Sequence, residues 1–191
     1  MEKNLNRPFL SDIQAIRKRA REQILCGAVT QDYAGDVEQA CKILNQALAT
    51  EIVCTLRYTA HYFLAEGIHA EAVKEEFKEH ADEEREHAEL IAARIKQLGG
   101  KPNFNPQGIL TRSHAEFIEG DTLVDMIRED LIAERIAVET YREIIQYFGE
   151  KDPTSRRLME SILEKEEEHA DELSDLLKTL DPSKAGASAA A

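Results

Sequence analysis

Two acidic stretches of the sequence repeat one arrangement of carboxylate and imidazole side chains. In DEEREHAEL, Glu84 lies three residues before His87. In EKEEEHADEL, Glu166 lies three residues before His169. Residues three apart on an α-helix project to the same side, so each pair can hold one metal ion. Carboxylate oxygen with imidazole nitrogen suits iron or manganese, and zinc can use similar ligands.

One Glu-x-x-His pair in a Glu-rich chain is weak evidence, because most such glutamates belong to solvated helix faces. Two further glutamates strengthen it. Glu51 and Glu84 are equally far from the first predicted hairpin turn, and Glu134 and Glu166 are equally far from the second. In a tight antiparallel hairpin, such residues lie at the same height. The spacing therefore predicts four level carboxylates and two imidazoles.

The elements that must position these residues are helices. Apolar residues recur at steps of three and four, and no stretch alternates with a period of two, so the chain is predicted to be all-α. A capping-box sequence at Ser11 predicts a short helix that ends near Gly27. Four long helices are expected over residues 36–67, 69–99, 121–149 and 152–180. Asp121 is the predicted N-cap of the third long helix. Asp152 is the predicted N-cap of the fourth and is followed by Pro at the first helical position.

The lengths of these helices predict a four-helix bundle. Each long helix has about 27–30 residues and spans roughly 40–45 Å. Two tight turns and one long crossover, residues 99–120, connect them. We expect an N-terminal extension with an additional helix in residues 1–35, a bundle in 36–180 and a disordered small-residue tail in 181–191.

Each long helix is apolar at both ends of its inner face and acidic in the middle. An unpaired buried ion costs several kcal/mol, so this many carboxylates in one core require a positive partner. The pattern predicts a centre for two metal ions bridged by carboxylates, and the number of carboxylates favours redox iron. The predicted metal-binding and catalytic residues are Glu51, Glu84, His87, Glu134, Glu166 and His169.

Five more residues are predicted to lie beside this centre. His80 is one turn before Glu84 on the same inner face, and His61 and Glu83 flank it; we expect them to support the ligands or pack in the core, with direct metal binding as the alternative. Tyr58 and Tyr141 each follow a glutamate by seven residues. They are predicted to pack in the core and can donate hydrogen bonds to the centre.

Composition limits the possible partners. The net charge of −13 argues against a nucleic-acid binder, whose surface is basic, and suits a protein that attracts cations. No apolar run reaches the ~18 residues of a transmembrane helix, and the N-terminus lacks the apolar segment of a secretory signal. Three isolated cysteines predict reduced thiols. We therefore expect a cytoplasmic protein with no membrane or DNA partner.

The six candidate ligands together resemble the metal-binding set of the ferritin-like superfamily. Over about residues 36–180 the chain is most similar to bacterioferritins and to Dps-like proteins with a bacterioferritin-type di-iron centre. The resemblance implies a ferroxidase that binds two iron ions per subunit, with Glu84 and Glu166 as bridges and with Tyr58 and His61 next to the centre. It also implies that Fe(II) is oxidised with dioxygen or peroxide and that ferric mineral is stored inside a hollow homo-oligomeric shell.

The chain departs from that family at three places. Arg85 stands where bacterioferritin has its haem-binding Met, so no haem is expected. The sequence after residue 180, DPSKAGASAAA, has no counterpart of the short C-terminal helix of 24-subunit ferritins, and residues 10–26 resemble an extension of some Dps-like proteins. These features favour 12 subunits over 24. Apolar residues outside the inner faces are candidates for subunit contacts: Ile52, Leu56, Phe63, Leu90 and Ile136.

Two alternative functions remain open from the sequence. One is a rubrerythrin-like di-iron oxidase or peroxidase that stores no iron, although that kind usually carries a Cys-rich segment absent here. The other is a Dps-type protein that protects DNA, for which the net charge of −13 predicts little binding.

Overall fold

The computed structural model describes residues 12–22 and 24–180, and within these ranges every regular element is helical. The helices are α1 (Ile13–Arg19), α2 (Val37–Leu64), α3 (Ala70–Gln97), α4 (Ile109–Arg112), α5 (Leu123–Phe148) and α6 (Pro153–Leu180), with a 3₁₀ turn at Ile24–Cys26. The predicted all-α class is confirmed. None of the helices in these ranges is long and apolar enough to cross a membrane.

Two helical hairpins form the bundle. Helix α2 packs along α3 and α5 packs along α6, while α2–α5 and α3–α6 contacts join the hairpins. Two large apolar clusters lie in the core, one containing Leu44, Ile91 and Phe148 and the other containing Phe77 and Leu173. The predicted four-helix bundle with one long crossover is confirmed, and its polar residues lie between these clusters.

The helix starts follow local hydrogen bonding. Asp152 caps α6 as predicted, because its carboxylate accepts a hydrogen bond from the Ser155 amide at 2.9 Å. The predicted Asp121 cap of α5 is wrong by one residue. Thr122 is the N-cap, since its hydroxyl accepts a hydrogen bond from the Asp125 amide at 3.2 Å. The oxygen of an N-cap side chain must reach the second or third amide of its helix, and Thr122 meets that requirement here.

The N-terminal helix is shorter than predicted. Its N-cap is Asp12, whose carboxylate accepts from the Gln14 amide at 2.9 Å, and the helix ends at Arg19 rather than near Gly27. No residue of α1 is buried, so no tertiary packing extends it. The predicted cap Ser11 and the predicted tail lie outside the described residues.

The crossover runs along the outer side of α2 and is fixed there by α2 side chains. Thr50 accepts a hydrogen bond from the His114 amide at 3.0 Å, and Arg57 donates one to the Glu116 carbonyl at 2.9 Å. Asp130 of α5 binds the Arg57 guanidinium at 2.7 Å. The crossover, α2 and α5 are thus joined beside the centre of the bundle.

Candidate metal centre

The six predicted ligands meet in the middle of the bundle. Helix α2 contributes Glu51, α3 contributes Glu84 and His87, α5 contributes Glu134, and α6 contributes Glu166 and His169. All six are buried, with exposed fractions between 0% and 6%. The hairpins place their glutamates level with one another, which is why residues so far apart in sequence converge.

The ligand atoms form two overlapping groups. In the first, one atom from each residue lies within 4.8 Å of the others, and its members are Glu51, Glu84, His87 and Glu166. The second meets the same limit and contains Glu84, Glu134, Glu166 and His169. Glu84 and Glu166 belong to both groups. Two carboxylates therefore lie between two positions, each of which also has one glutamate and one imidazole of its own.

The centre is rich in buried polar atoms that lack hydrogen-bond partners. Within the described chain, these are Glu51 Oε2, Glu84 Oε1, His87 Nδ1, Glu134 Oε2, both Glu166 carboxylate oxygens and His169 Nδ1. The imidazoles face the shared carboxylates through Nδ1, with His87 3.1 Å from Glu166 and His169 3.5 Å from Glu84. A buried unpartnered polar atom costs about 1–3 kcal/mol. The donor set fits metal cations, which would satisfy these atoms together.

The electrostatics of the centre favour protons or metal ions. Burial raises the pKa of Glu51 and of Glu134 well above the usual value, and repulsion from the carboxylates of Glu84 and Glu166 adds to it. Burial alone would lower the pKa of the His169 imidazole. The neighbouring Glu166 and Glu84 carboxylates have a larger, opposite effect and raise this pKa to about 12. Without a metal, the centre therefore holds protons that a bound cation would displace.

Two tyrosines fix the carboxylates that the groups do not share. Tyr58 of α2 donates a hydrogen bond to Oε1 of Glu134, and Tyr141 of α5 donates one to Oε1 of Glu51. In each glutamate the other oxygen, Oε2, is the unpartnered atom. The tyrosines thus orient each carboxylate and leave one oxygen free for a metal.

The supporting residues divide into two sets. Glu83 Oε2 lies 2.6 Å from Nε2 of His169 and so directs the Nδ1 atom of that ring towards the centre. His80 stacks on His169, with ring centroids 4.0 Å apart. His61 lies elsewhere: its Nδ1 is 2.7 Å from Asp130 and its Nε2 is 3.1 Å from the Ile118 carbonyl. His61 supports the crossover and is in neither ligand group.

Sequence reasoning missed Glu76 and Glu172, which lie close to His80. Glu76 is four residues before His80, and Glu172 is three residues after His169. The spacing of Glu76 and His80, one turn apart on one helix, could have identified Glu76, but no spacing along one helix indicates that Glu172 meets His80. Sequence reasoning also missed Arg57 and Asp130, for which no local spacing signal exists.

Comparison with known proteins agrees with this fold. A family model described as ferritin-like domain matches residues 41–182, and the chain belongs to this family. It is 33% identical over 153 residues to the DNA protection during starvation protein of Pyrococcus furiosus, covering 74% of this chain and 78% of that one. It is 30% identical over 141 residues to bacterioferritin of Rhodobacter capsulatus, covering 73% and 83% of the two chains.

A solved structure gives a similar result. The dodecameric thioferritin of Bacteroides fragilis, described as bacterioferritin-related, superposes with a TM-score of 0.75 at 33% identity, covering 79% of this chain and 91% of that one. The predicted resemblance to bacterioferritins and Dps-like proteins is confirmed.

Proposed function

We propose that this protein is a ferroxidase that oxidises Fe(II) at the six-residue centre and stores the ferric product inside a homo-oligomeric shell. The observation that carries the proposal is the pair of overlapping ligand groups that share Glu84 and Glu166 and contain seven unpartnered buried atoms. Membership of the ferritin-like family supports it.

Both iron ions are substrates of the reaction. Glu51 and His87 would hold one Fe(II), Glu134 and His169 would hold the other, and Glu84 and Glu166 are placed to contact both. Each Fe(II) gives up one electron: two Fe(II), one dioxygen and two protons yield two Fe(III) and hydrogen peroxide. With peroxide as the oxidant, two Fe(II), one peroxide and two protons yield two Fe(III) and two water molecules. The buried carboxylates stabilise the additional positive charge of Fe(III).

A shell of 12 chains is the assembly that we favour. The Bacteroides fragilis relative is described as dodecameric. Three of the predicted contact residues leave large apolar side chains exposed on the single chain: Leu56 is 53% exposed, Phe63 75% and Leu90 51%. Contacts between subunits would cover these side chains. The net charge of −13 suits a shell that attracts Fe²⁺.

The test of the catalytic proposal is Glu84→Ala, because it removes a carboxylate that both groups share. We expect rapid Fe(II) oxidation to be lost while the helical circular dichroism spectrum is retained. Glu86→Ala is the matched control, since Glu86 is exposed on the same helix and should leave oxidation as in the original protein. Oxidation kinetics unchanged by Glu84→Ala would refute the assignment.

The first alternative, a rubrerythrin-like oxidase or peroxidase, differs in what happens to the product. Such an enzyme would turn over while holding about two iron ions per chain in a small oligomer. The proposed storage protein should instead retain a much larger ferric load in a large particle. Iron content measured after size-exclusion chromatography separates the two functions.

DNA protection is the second candidate, favoured by the name of the Pyrococcus furiosus relative and by one local feature. Lys42, Lys101 and Arg112 line a cavity of about 720 Å³ between α2 and the crossover. Against this, the whole chain carries a net charge of −13, which repels a polyanion. We expect no retention on duplex DNA at physiological salt, and retention would establish this second role.

A further inference from the structure

A third group of metal-ligand side chains lies outside the six-residue centre. Glu76 and His80 are one turn apart on α3, and Glu172 faces them from α6. One ligand atom from each of the three lies within 4.8 Å of the other two. His80 is 1% exposed, whereas the Glu172 side chain is 57% exposed. The group therefore extends from the bundle interior to the surface.

The charges of this group are not balanced by cationic side chains. In the described part of the chain, Glu172 is paired only with Nε2 of His80, at 3.0 Å, and Glu76 forms no ion pair. Burial, and then repulsion from Glu172 and Glu79, raises the pKa of Glu76. His80 is fully buried, and its Nδ1 atom has no hydrogen-bond partner. Two close carboxylates and a buried imidazole form a ligand set for a cation.

The ring of His80 is held in place by its neighbours. It stacks on the His169 ring with centroids 4.0 Å apart and an interplanar angle of 21°. It also meets the edge of Tyr58, with centroids 5.1 Å apart and an angle of 87°. His80 is therefore a rigid, preoriented ligand that lies next to the His169 side of the centre.

We infer that Glu76, His80 and Glu172 form a third metal-ion site, which takes a divalent transition-metal ion. A mixed nitrogen and oxygen donor set suits such ions, and three protein ligands leave coordination positions to water. The surface exposure of Glu172 lets an ion exchange with solvent, while the stacked imidazoles place it beside the centre. The site is a waiting position for iron that enters or leaves; this role rests on the proposed function, although the binding of a metal ion does not.

The experiment counts bound Co(II), which remains divalent in air, by equilibrium dialysis of the full-length protein at physiological salt. The original protein should bind about three ions per chain, two at the centre and one at the third site. The double variant Glu76→Gln and Glu172→Gln should bind about one fewer. The matched control is Glu75→Gln with Asp171→Asn, which removes the same charge from exposed residues of the same two helices and should lose none.

The outcomes separate this inference from the proposed function. A Co(II) count that the Glu76 and Glu172 variant leaves unchanged overturns the third site, as does an equal loss in the control, because that loss would reflect the acidic surface in general. Glu84→Ala tests the centre in the same assay: if it leaves the count unchanged, the six-residue centre is refuted instead. Circular dichroism of each variant verifies that the bundle is folded.

Discussion

Tyr141 of one hairpin donates its hydroxyl hydrogen bond to Glu51 of the other hairpin. Tyr58 makes the reciprocal contact, from α2 to Glu134 of α5. Each bond occupies one carboxylate oxygen and leaves the second oxygen without a partner inside the centre. The two hairpins therefore orient each other's carboxylates before any metal binds, which reduces the reorganisation that binding requires.

The first prediction concerns the double variant Tyr58→Phe and Tyr141→Phe. Both rings remain, but two buried carboxylate oxygens lose their donors, which should cost about 1–3 kcal/mol for each in the metal-free protein. Zn(II) should recover part of the loss by binding those oxygens. Thermal unfolding at one protein concentration, with and without Zn(II), measures both effects. Tyr147→Phe, on the surface, is the control; an equal loss in that variant would contradict the role given to the buried pair.

The second prediction is that metal binding releases protons. The carboxylates of the centre raise the pKa of His169 to about 12, and they raise the pKa of His87 as well, in spite of burial. We therefore expect both rings to be protonated at neutral pH. Each metal ion must displace the proton of its imidazole, and the raised pKa values of Glu51 and Glu134 add further protons to displace. At least about one proton should therefore be released per ion bound, and the apparent affinity should fall as pH falls. Titration with Zn(II) in a pH-stat counts the protons. Binding without proton release would show that the metal-free rings are neutral.

The centre was predictable because its geometry is local. Helical periodicity assigns Glu84 and His87 to one face, and equal distance from a turn sets Glu51 level with Glu84. Both rules depend only on spacing along one helix or one tight hairpin. The same rules predicted the bundle, and the structure brings all six candidate residues together.

The contacts between distant segments were not predictable. Arg57 and His61 bind Asp130 across 73 and 69 residues of sequence, and His80 meets Glu172 across 92. Periodicity shows which face of a helix is buried, but not which residue of another helix it meets. The errors at Asp121 and in the length of α1 have another cause, since helix ends depend on one side-chain oxygen or on packing that α1 lacks.

The third prediction concerns Asp152, which caps α6 and also binds Arg94 at 2.8 Å and Tyr33 at 2.8 Å. Burial alone would raise its pKa, but the hydrogen bonds from Ser155, Tyr33 and Arg94 together lower it. The carboxylate therefore contributes stability above its unfolded pKa, and that stability is lost as pH falls through the lower folded value. Asp152→Asn should cost about 3–5 kcal/mol at neutral pH, because it leaves a buried guanidinium uncompensated.

Thermal unfolding of this variant and the original protein at neutral pH and at about pH 2 tests the sign of the effect. The difference in stability between the two proteins should shrink as pH falls towards the lowered pKa of Asp152, because the original protein then loses the charge that pairs with Arg94. Asp175→Asn, at an exposed position, is the control and should change little at neutral pH. A difference in stability that stays constant with pH would assign the effect to the lost hydrogen bonds from Tyr33 and Ser155 rather than to the charge, because Asn caps a helix as well as Asp does.

The last prediction is the size of the particle. Storage needs an enclosed volume, which closed point-group symmetry provides. Sedimentation or light scattering should report about twelve chains of 21.6 kDa each, and the absorption spectrum should show no haem. Phe63→Glu should break the particle into smaller folded species by placing a charge in a contact, whereas Phe63→Leu should leave it intact. A stable monomer or dimer of the original protein would remove the storage function, and a 24-subunit particle would preserve storage but overturn the number of subunits proposed here.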